Sequence, residues 1–560
     1  MNSATDPIAF RVRIGVTGHR NLEARKQDTG ALASRISEAV RSRLEEIFAP
    51  DSRERFREAQ LRNAPPIRYC VVSPLAEGAD RLVAKTILQC EEEATLDAVL
   101  PLAHDDYVND FATSESKAEF EELLGRCRSP HYLRRIALSC EYSDPGSLAE
   151  MRRVAYGSVG RFVVDHCDVL IALWDGQSGR PGGTADTVKY ARSQGKPLIV
   201  IWDGDIQQIE GNMEAVAIVD AIDRYNHLPL TAEQIASKET EMKQRYLGKP
   251  AAAAVPEAAR EILIEHLLPH SARASLMAEG NQESFLGAGR YVYLLSTLAV
   301  ACVALAVLIE SISPWGFGAE LIVLLTLTLI LERTRRQRHH NSWMDYRFLA
   351  ERLRCASFMA LSGVEPDDIA VPPFLAHSHR IGDWTVRTFD EIWNRLPRLA
   401  GCTREACLQM NPYIREAWIQ GQINFHSRKD TREGTRRRRL DSGARVLLLA
   451  TIAAAFAHTI WHWLPGATTS LRWMSQPLTF IAIVFPAATA SLAGMQASRE
   501  HLRLEKRSES MVRELKKLKA EMETATDPLH FEMLLRRSDE LMLRENQEWL
   551  TLMRFVEIKG

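Results

Sequence analysis

The chain has almost no net charge and no paired cysteine motif. Its 560 residues include 70 Lys and Arg against 72 Asp and Glu, which leaves a formal charge of -2. Binding to the nucleic-acid backbone needs an excess of positive charge, so this balance excludes nucleic acid as a bulk partner. The nine cysteines form no CxxC pair and show no zinc-finger spacing, so we expect reduced, buried thiols and no metal site.

The first residues also lack the features of a secretory leader. An acidic residue, Asp6, stands where a signal peptide carries positive charge, and Arg11 and Arg13 interrupt the first apolar run. We therefore expect this stretch to be the first strand of a cytosolic domain.

Long apolar runs, by contrast, occur four times. They cover residues 291–309, 315–331, 446–464 and 478–497, each close to the roughly 20 residues that span a bilayer. The second run is short and contains Glu320. A buried core helix is the alternative for each run, but the arrangement in two close pairs favours two transmembrane hairpins.

The distribution of positive charge predicts the orientation of these hairpins. Basic segments follow the second run, precede the third and follow the fourth, as RTRRQR, RRRRLDSGAR and REHLRLEKR. The short connectors within the pairs contain only Arg472. Since Lys and Arg beside a span stay in the cytoplasm, we expect a multi-pass protein with both termini cytoplasmic. Contact with anionic lipid explains the basic clusters better than nucleic acid does.

The predicted organisation has six parts. Residues 1–247 form an N-terminal domain, 248–289 a linker and pre-membrane helix, 290–332 the first hairpin, 333–444 a cytoplasmic helical segment, 445–498 the second hairpin, and 499–560 C-terminal cytoplasmic helices. In the last part, Met511, Leu515, Leu518 and Met522 recur at helical spacing. This spacing suits helix pairing within a homo-oligomer.

Short runs rich in Val, Ile and Leu alternate with helix-like segments between residues 11 and 203. Runs such as VRIGVT, IRYCVVS and DVLIALW lack strict alternation, as expected for strands covered on both faces. The pattern predicts an α/β Rossmann-like domain with a mostly parallel sheet. Ligands bind such sheets beyond the carboxyl ends of the strands, so the residues directly after each strand are candidates for binding.

Three of these loops carry suggestive residues. GVTGHR follows the first strand, SPLAEGADRLVA the second and DGQSGRPGGTADTVKYA the fourth. These loops place glycines, side chains that can donate hydrogen bonds to an anion, and a helix N-terminus at one sheet edge. This combination indicates a phosphate-binding site. Taken singly, the glycine pair before a helix can be a simple turn, and His19 can be a capped or core histidine. The joint placement of the three motifs at one sheet edge favours a binding site. The candidate ligand-binding residues are Thr17, Gly18, His19, Arg20, Glu77, Gly78, Asp80, Asp175, Gly182, Gly183 and Thr184.

Four motifs in the order GVTGHR, SPLAEGADRLVA, VDHCDVLIALWDG and PGGTADTVKYA resemble the SLOG superfamily, the Rossmann-like group that includes LOG and DprA-like proteins. The resemblance covers about the first 200 residues. It implies a pocket for a nucleotide or nucleotide-derived ligand, with phosphate or ribose near Gly18, Arg20 and the glycines of PGGT. No other cofactor is implied.

The membrane region carries a second resemblance. The segment YRFLAERLR after the first hairpin, the hairpin itself and ENQEWLTLMR near the C-terminus resemble SLATT membrane modules. This implies a pore-forming or bilayer-perturbing effector of bacterial conflict systems, located in the bacterial cytoplasmic membrane. The chain departs from that pattern by having two hairpins.

The PGGT motif also bears on catalysis. LOG-type hydrolases, which release the base from a nucleoside monophosphate, resemble PGGxGTxxE, with a Glu one helical turn on. Here the residues after PGGT include no Glu, and Asp186 is shorter and differently spaced. We therefore expect no catalytic residue and a sensor function. A membrane-tethered nucleoside-monophosphate hydrolase is the alternative, and a structural scaffold is a third possibility.

Overall fold

The computed structural model describes residues 7–47, 65–127, 131–132, 145–179, 181–212, 216–362, 384–397, 404–463, 472–497 and 501–553. Within these ranges the structure consists of one β-sheet and a large set of helices.

Seven strands form the sheet. They are β1 (Phe10–Gly18), β2 (Ile67–Ser73), β3 (Thr95–Leu100), the two-residue β4 (His131–Tyr132), β5 (Val169–Leu173), β6 (Leu198–Trp202) and β7 (Asp205–Glu210). Their spatial order is β4-β3-β2-β1-β5-β6-β7. Every neighbouring pair is parallel except β6 and β7. The prediction of a mostly parallel sheet with helices is therefore confirmed.

Seven helices accompany the sheet in the sequence. They are α1 (Thr29–Glu38), α2 (Ala79–Cys90), α3 (His104–Val108), α4 (Ser114–Arg126), α5 (Pro145–His166), α6 (Thr184–Ser193) and α7 (Val216–Asn226). All five residues of β5 are buried, which explains why its sequence shows no alternation of apolar and polar residues. The core next to β5 is formed by Val159 and Val163 of α5 and Val188 of α6.

In the described part of the chain, eleven further α-helices of six residues or more follow. They are α8 (Ala232–Leu247), α9 (Glu257–Ile262), α10 (Leu268–Leu308), α11 (Ser313–Gln337), α12 (His339–Leu361), α13 (Trp384–Asn394), α14 (Arg404–Gln409), α15 (Gln420–Trp463), α16 (Arg472–Ala497), α17 (His501–Thr524) and α18 (Pro528–Met553). A one-turn helix, Asn411–Tyr413, and a π-helical turn, Ile414–Ile419, lead into α15.

The chain divides into two compact units. The sheet unit combines Thr5–Pro229 with Asp367–Leu396, and the helical unit contains the other helices. Helix α8 therefore lies in the helical unit, whereas the sequence predicts an N-terminal domain of residues 1–247 that includes it. The reason is packing, because Tyr246 is fully buried there and its carbonyl accepts a hydrogen bond from the Tyr413 hydroxyl at 3.1 Å.

Within the described ranges, four helices are long and apolar enough to cross a membrane. The candidate spans lie in Glu257–Leu308, Glu310–Leu361, Gly434–Ile460 and Ser475–Gln496, as predicted from the four apolar runs. Their large side chains point away from the interior of the chain, with Trp315 81% and Leu329 69% exposed. This exposure excludes the alternative that the runs form the buried core of this chain.

Small and hydroxyl-bearing residues lie where the membrane helices meet. Thr297 of α10 and Ser491 of α16 are hydrogen-bonded at 2.8 Å, and Ser491 also donates to the Tyr293 carbonyl at 3.0 Å. A side chain at Gly494 would collide with the Tyr293 ring at 2.5 Å. Close approach at small residues with hydroxyl bridges is typical of helix packing in membranes.

The regularly spaced apolar residues of α17 are used within the chain. Met511, Leu515, Leu518 and Met522 are all buried. Because a single chain already covers them, their spacing no longer supports helix pairing between subunits. Homo-oligomerisation stays a prediction.

Candidate functional site

The strand order reverses at β1, because the chain adds strands on one side of β1 first and on its other side from β5 onward. Strand β1 pairs with β2 on one side and with β5 on the other, so the loops after β1 and β5 leave in different directions. In open parallel sheets the crevice at this switch point is the usual ligand site. Predicted site residues Gly18, His19 and Asp175 lie here, and Thr17 lies in β1 opposite Ala172 of β5.

The loops after β1 and β2 contact each other through their backbones. The Ala79 N–H donates to the His19 carbonyl at 3.1 Å. A Cβ atom on Gly18 would lie 2.3 Å from the Ala79 Cβ, and one on Gly78 would lie 2.1 Å from the Arg20 carbonyl oxygen. Both glycines are therefore required by this close packing, whether or not a ligand binds beside them.

His19, Asp175 and Trp202 come together at the ends of β1, β5 and β6. The His19 Nε2 lies 3.0 Å from Asp175 Oδ1, and the imidazole meets the Trp202 ring edge-on with centroids 5.1 Å apart. Arg25 forms an ion pair with the same carboxylate. Burial alone would raise the pKa of the Asp175 carboxyl, but the Gln177 N–H, His19 and Arg25 together lower it. Asp175 is thus held as a carboxylate by the chain itself.

Arg20 lies at the other side of the same edge, over an aromatic ring. Its guanidinium carbon is 4.8 Å from the centroid of Tyr156 in α5. The Tyr156 hydroxyl donates to Asp110, which also pairs with Arg152. Burial alone would lower the pKa of the Arg20 guanidinium, but its hydrogen bond with Tyr156 raises it. A planar cation stacked on a tyrosine offers one flat, charged surface to a ligand.

The two acidic residues after β2 have structural partners. Glu77 accepts hydrogen bonds from the Ser116 hydroxyl and from the Ala112 N–H at 3.4 Å. The Asp80 carboxyl is buried and accepts from the Ala76 N–H at 3.2 Å. Burial raises the pKa of Asp80 to about 7, although this hydrogen bond and the nearby Arg20 and Arg81 oppose the shift.

Asp80 should make the stability of the protein depend on pH. Between about pH 4, the usual carboxyl pKa, and about pH 7, the folded state keeps a proton that the unfolded chain has released. The free energy of unfolding should therefore fall as pH rises through this window. We expect Asp80→Asn to remove a contribution of about one proton from the slope of the free energy of unfolding against pH. The melting temperature of the full chain, followed from pH 5 to pH 8, measures the change. An unchanged slope in the variant would contradict this assignment.

The PGGT loop lies at the N-terminus of α6. Gly183 is the residue before the helix and Thr184 is its first residue. The Gly182 N–H already donates to the chain's own Asp186 Oδ2 at 2.7 Å. One N–H of the predicted phosphate seat is therefore occupied by a carboxylate, and a ligand anion has to use the remaining N–H groups or displace Asp186.

A cavity of about 540 Å³ adjoins this loop, between α5 and α6. Its wall includes Gly182 and Asp186 together with three cationic side chains, Arg153, Arg161 and Lys189. Arg153 is paired with Glu150 at 2.8 Å, and Arg161 lies 5.5 Å from the ring centroid of Tyr190. The volume is in the range of small-molecule sites, and the excess of cations favours an anionic ligand.

No protein-family model matches the sequence, and a search of curated proteins finds no significant match.

Helix α5 lies next to both groups of predicted residues. Tyr156 stacks under Arg20 at the switch point, and its neighbour Gly157 lies against Gly182 at the cavity. The structure thus brings Gly18, His19, Arg20, Gly78, Asp80 and Asp175 together at the strand ends. Gly182 lines the cavity, and Gly183 and Thr184 follow it at the start of α6. Within the part of the chain that the structure describes, no group of three or more His, Cys, Asp or Glu residues could hold a metal ion.

Sequence reasoning missed the contribution of α5. Arg153, Gly157 and Arg161 are four residues apart, so they lie on one face of a helix. A basic residue, a glycine and a second basic residue at this spacing were the available signal. Trp202 and Tyr156 had no such signal, because their proximity to His19 and Arg20 results from the sheet order and the helix packing.

Proposed function

We propose that this chain is a membrane-bound sensor of the SLOG type, which binds a nucleotide or nucleotide-derived anion in its sheet unit. The observation that carries the proposal is the cation-lined cavity beside PGGT, in a chain with four membrane-length helices. A soluble enzyme has no need of four spans, and a simple anchor needs only one.

The lining of the cavity supports a ligand with both charge and an aromatic or apolar part. Arg153, Arg161 and Lys189 attract phosphate, while Val154 and the ring of Tyr190 supply apolar surface. Among the described residues of the wall, Asp186 is the acidic one, and its carboxylate can accept a hydrogen bond from a ribose hydroxyl or a base. This combination suits a nucleotide better than inorganic phosphate.

The helical unit is, in this proposal, a SLATT-like effector. Its four spans form two hairpins in the bacterial cytoplasmic membrane, with both termini cytoplasmic, and homo-oligomers open a pore or perturb the bilayer. The basic segments beside the spans support the orientation. A nucleotide can shift such an assembly only if it binds the two membrane states with different affinity.

The alternative is a nucleoside-monophosphate hydrolase that the spans merely anchor. Asp186 lines the cavity and is the carboxylate available for it, yet this side chain already accepts the Gly182 N–H. Release of free base from AMP by the full-length protein would support hydrolysis, and loss of that activity in Asp186→Asn would assign it.

The binding step is tested by adding AMP, ADP and ATP to the full-length protein in detergent and following its melting temperature. The full chain is needed because α13, from far along the sequence, is part of the sheet unit. Saturation at about 100 times the dissociation constant adds roughly 2.7 kcal/mol to stability. We expect Lys189→Glu to weaken binding about tenfold, as expected for the loss of one charged contact.

Lys243→Glu is the matched control, because it makes the same charge change at an exposed site on α8. Liposomes that contain the full-length protein and a self-quenching dye report the membrane step. Nucleotide-dependent dye release that Lys189→Glu weakens and Lys243→Glu preserves would support the proposal. If none of the three nucleotides raises the melting temperature, the result supports a structural scaffold and contradicts nucleotide sensing.

A further inference from the structure

Helix α13 contacts the sheet edge opposite the candidate ligand site. Its partners are Arg11 and Arg13 near the start of β1, Arg68 at the start of β2 and Asp168 directly before β5. These are the amino-terminal ends of the strands, whereas His19 and Asp175 follow their carboxyl ends. The sheet therefore lies between α13 and the switch point.

The first attachment is a buried ion pair. Arg387 of α13 binds the Asp168 carboxylate through both of its terminal nitrogens, one of them at 2.9 Å, and donates to the Arg11 carbonyl at 2.8 Å. The Asp168 carboxylate also accepts the Arg13 N–H at 2.8 Å. Burial would raise the pKa of Asp168, but Arg387 and Arg13 lower it, so the carboxyl stays charged.

The second attachment is a fully buried carboxylate. Glu391 has no exposed surface and lies 2.7 Å from Arg11, 3.0 Å from Arg68 and 2.9 Å from Arg395. Burial would raise the pKa of Glu391, but Arg11 and Arg395 lower it. Asp390 forms a further ion pair with Arg13. Each of Arg387, Asp390 and Glu391 thus forms an ion pair with at least one charged residue near the start of a strand.

Apolar side chains complete the attachment. Phe389 and Ile392 are each 1% exposed, and the ring of Trp384 lies 6.0 Å from that of Tyr225 in α7. Removing α13 from this position would break the ion pairs of Asp168 and Arg11 and expose the Phe389 and Ile392 side chains, which together costs several kcal/mol. Helix α13 is therefore expected to move as a rigid part of the sheet unit.

The position of α13 in the sequence gives this attachment a consequence. The helix lies between α12 and α14, which belong to the helical unit, and between the first and second pairs of membrane-length helices. The chain that joins the two hairpins therefore passes through the sheet unit. Helix α13 is thus joined in the sequence to a hairpin on each side, while its own side chains are held by the strand starts.

We propose that α13 is the strap through which the state of the sheet unit reaches the segment between the two membrane hairpins. For the ligand-dependent part, the strap rests on the proposed nucleotide sensing. The mechanical part, that loosening α13 from the sheet affects the helices on either side of it in the sequence, does not depend on any ligand.

A ligand-free experiment tests the mechanical part. In full-length protein in nanodiscs, Arg387→Met should accelerate hydrogen exchange at least tenfold in α13, and also in the C-terminal turns of α12 and in α14, in line with the cost of unpairing Asp168. Asn394→Ala, on the same helix but outside the ion pairs described above, is the control. Acceleration confined to α13 would overturn the strap.

A second experiment separates docking from transmission. About eight Gly and Ser residues inserted after Ser362, and again after Pro397, add roughly 16 Å of slack on each side of α13. We expect slow exchange in α13 and AMP binding to persist, while AMP-triggered dye release from liposomes falls about tenfold, within the range of allosteric coupling. The same insertion after the exposed Thr526, between α17 and α18, is the control.

The outcomes of the two experiments distinguish the strap from nucleotide sensing. If AMP neither binds nor triggers release in the unmodified chain, nucleotide sensing in this form fails, while the exchange experiment still decides the strap. If AMP triggers full release from the slack variants, transmission does not pass through α13 and the strap is wrong. If release is lost only in the slack variants, both proposals stand.

Discussion

Replacing Arg387 with Met is expected to lower the free energy of unfolding of the sheet unit by about 3–5 kcal/mol, the range for removing one partner of a buried ion pair. The methionine keeps most of the volume but leaves the Asp168 carboxylate with only the Arg13 N–H. Denaturant unfolding of the full chain, followed by exchange of the β1 and β5 amides, measures the loss.

Two variants calibrate this result. Arg395→Met removes a guanidinium directly after the same helix, at a position that is 13% exposed, where Glu391 keeps Arg11 and Arg68 as partners, and should cost about 1 kcal/mol. The double variant Arg387→Met with Asp168→Asn should cost less than the sum of its single changes, because the unpaired charge is gone. Equal losses for Arg387→Met and Arg395→Met would contradict the buried pair.

The stabilisation by Asp168 also has a definite sign with respect to pH. The pKa of this carboxyl is lowered in the folded state. Its contribution is therefore fully present above the carboxyl pKa of the unfolded chain, near 4, and is lost as pH falls through the lower folded value. Asp80 has the opposite sign, since its raised pKa weakens stability as pH rises toward 7.

Gly78→Ala is the second substitution with a large expected effect, about 4 kcal/mol of destabilisation. Its φ of +80° costs a residue with a side chain about 1–2 kcal/mol, and displacing the Arg20 carbonyl, 2.1 Å from the new Cβ, adds about 2–3 kcal/mol. The loops after β1 and β2 should separate, so Arg20 should also lose its position over Tyr156. Thermal unfolding and nucleotide binding of the same sample measure the two effects.

Gly176→Ala is a close control, because its φ of +79° is nearly identical and no atom lies within 4 Å of the added Cβ. It should cost only the backbone term of about 1–2 kcal/mol. If the two glycine variants are equally stable, the close approach of the Gly78 loop to Arg20 is not a feature of the folded protein.

Much of the architecture follows directly from local sequence. Each long apolar run, such as 291–309, can be recognised as a candidate membrane span on its own, because the ability to span a bilayer depends on length and composition. The buried strand DVLIALW is recognisable for a similar reason, since a strand covered on both faces is apolar throughout. Neither inference needs knowledge of what the segment contacts.

The candidate site was only partly predictable. His19 and Asp175 follow two apolar strands, and parallel strands place such residues at one edge. Glu77 stays a predicted ligand-binding residue, but the sequence does not show that it accepts hydrogen bonds from the Ser116 hydroxyl and the Ala112 N–H. Asp186 was considered as a catalytic carboxylate, yet it accepts the Gly182 N–H. A sequence motif identifies such groups, but the atoms that saturate them come from elsewhere in the chain.

The sequence by itself determined the parallel α/β sheet, the four membrane-length helices and the loops at the strand ends, because hydrophobic periodicity and run length are local properties. Only the tertiary structure decided that α13 belongs to the sheet unit. Arg387 and Asp168 are 219 residues apart. Each is a charged residue that its own segment, taken alone, would place at the surface. Their pairing becomes visible only when the strand starts are assembled, since a buried charge finds its partner through space and not along the chain.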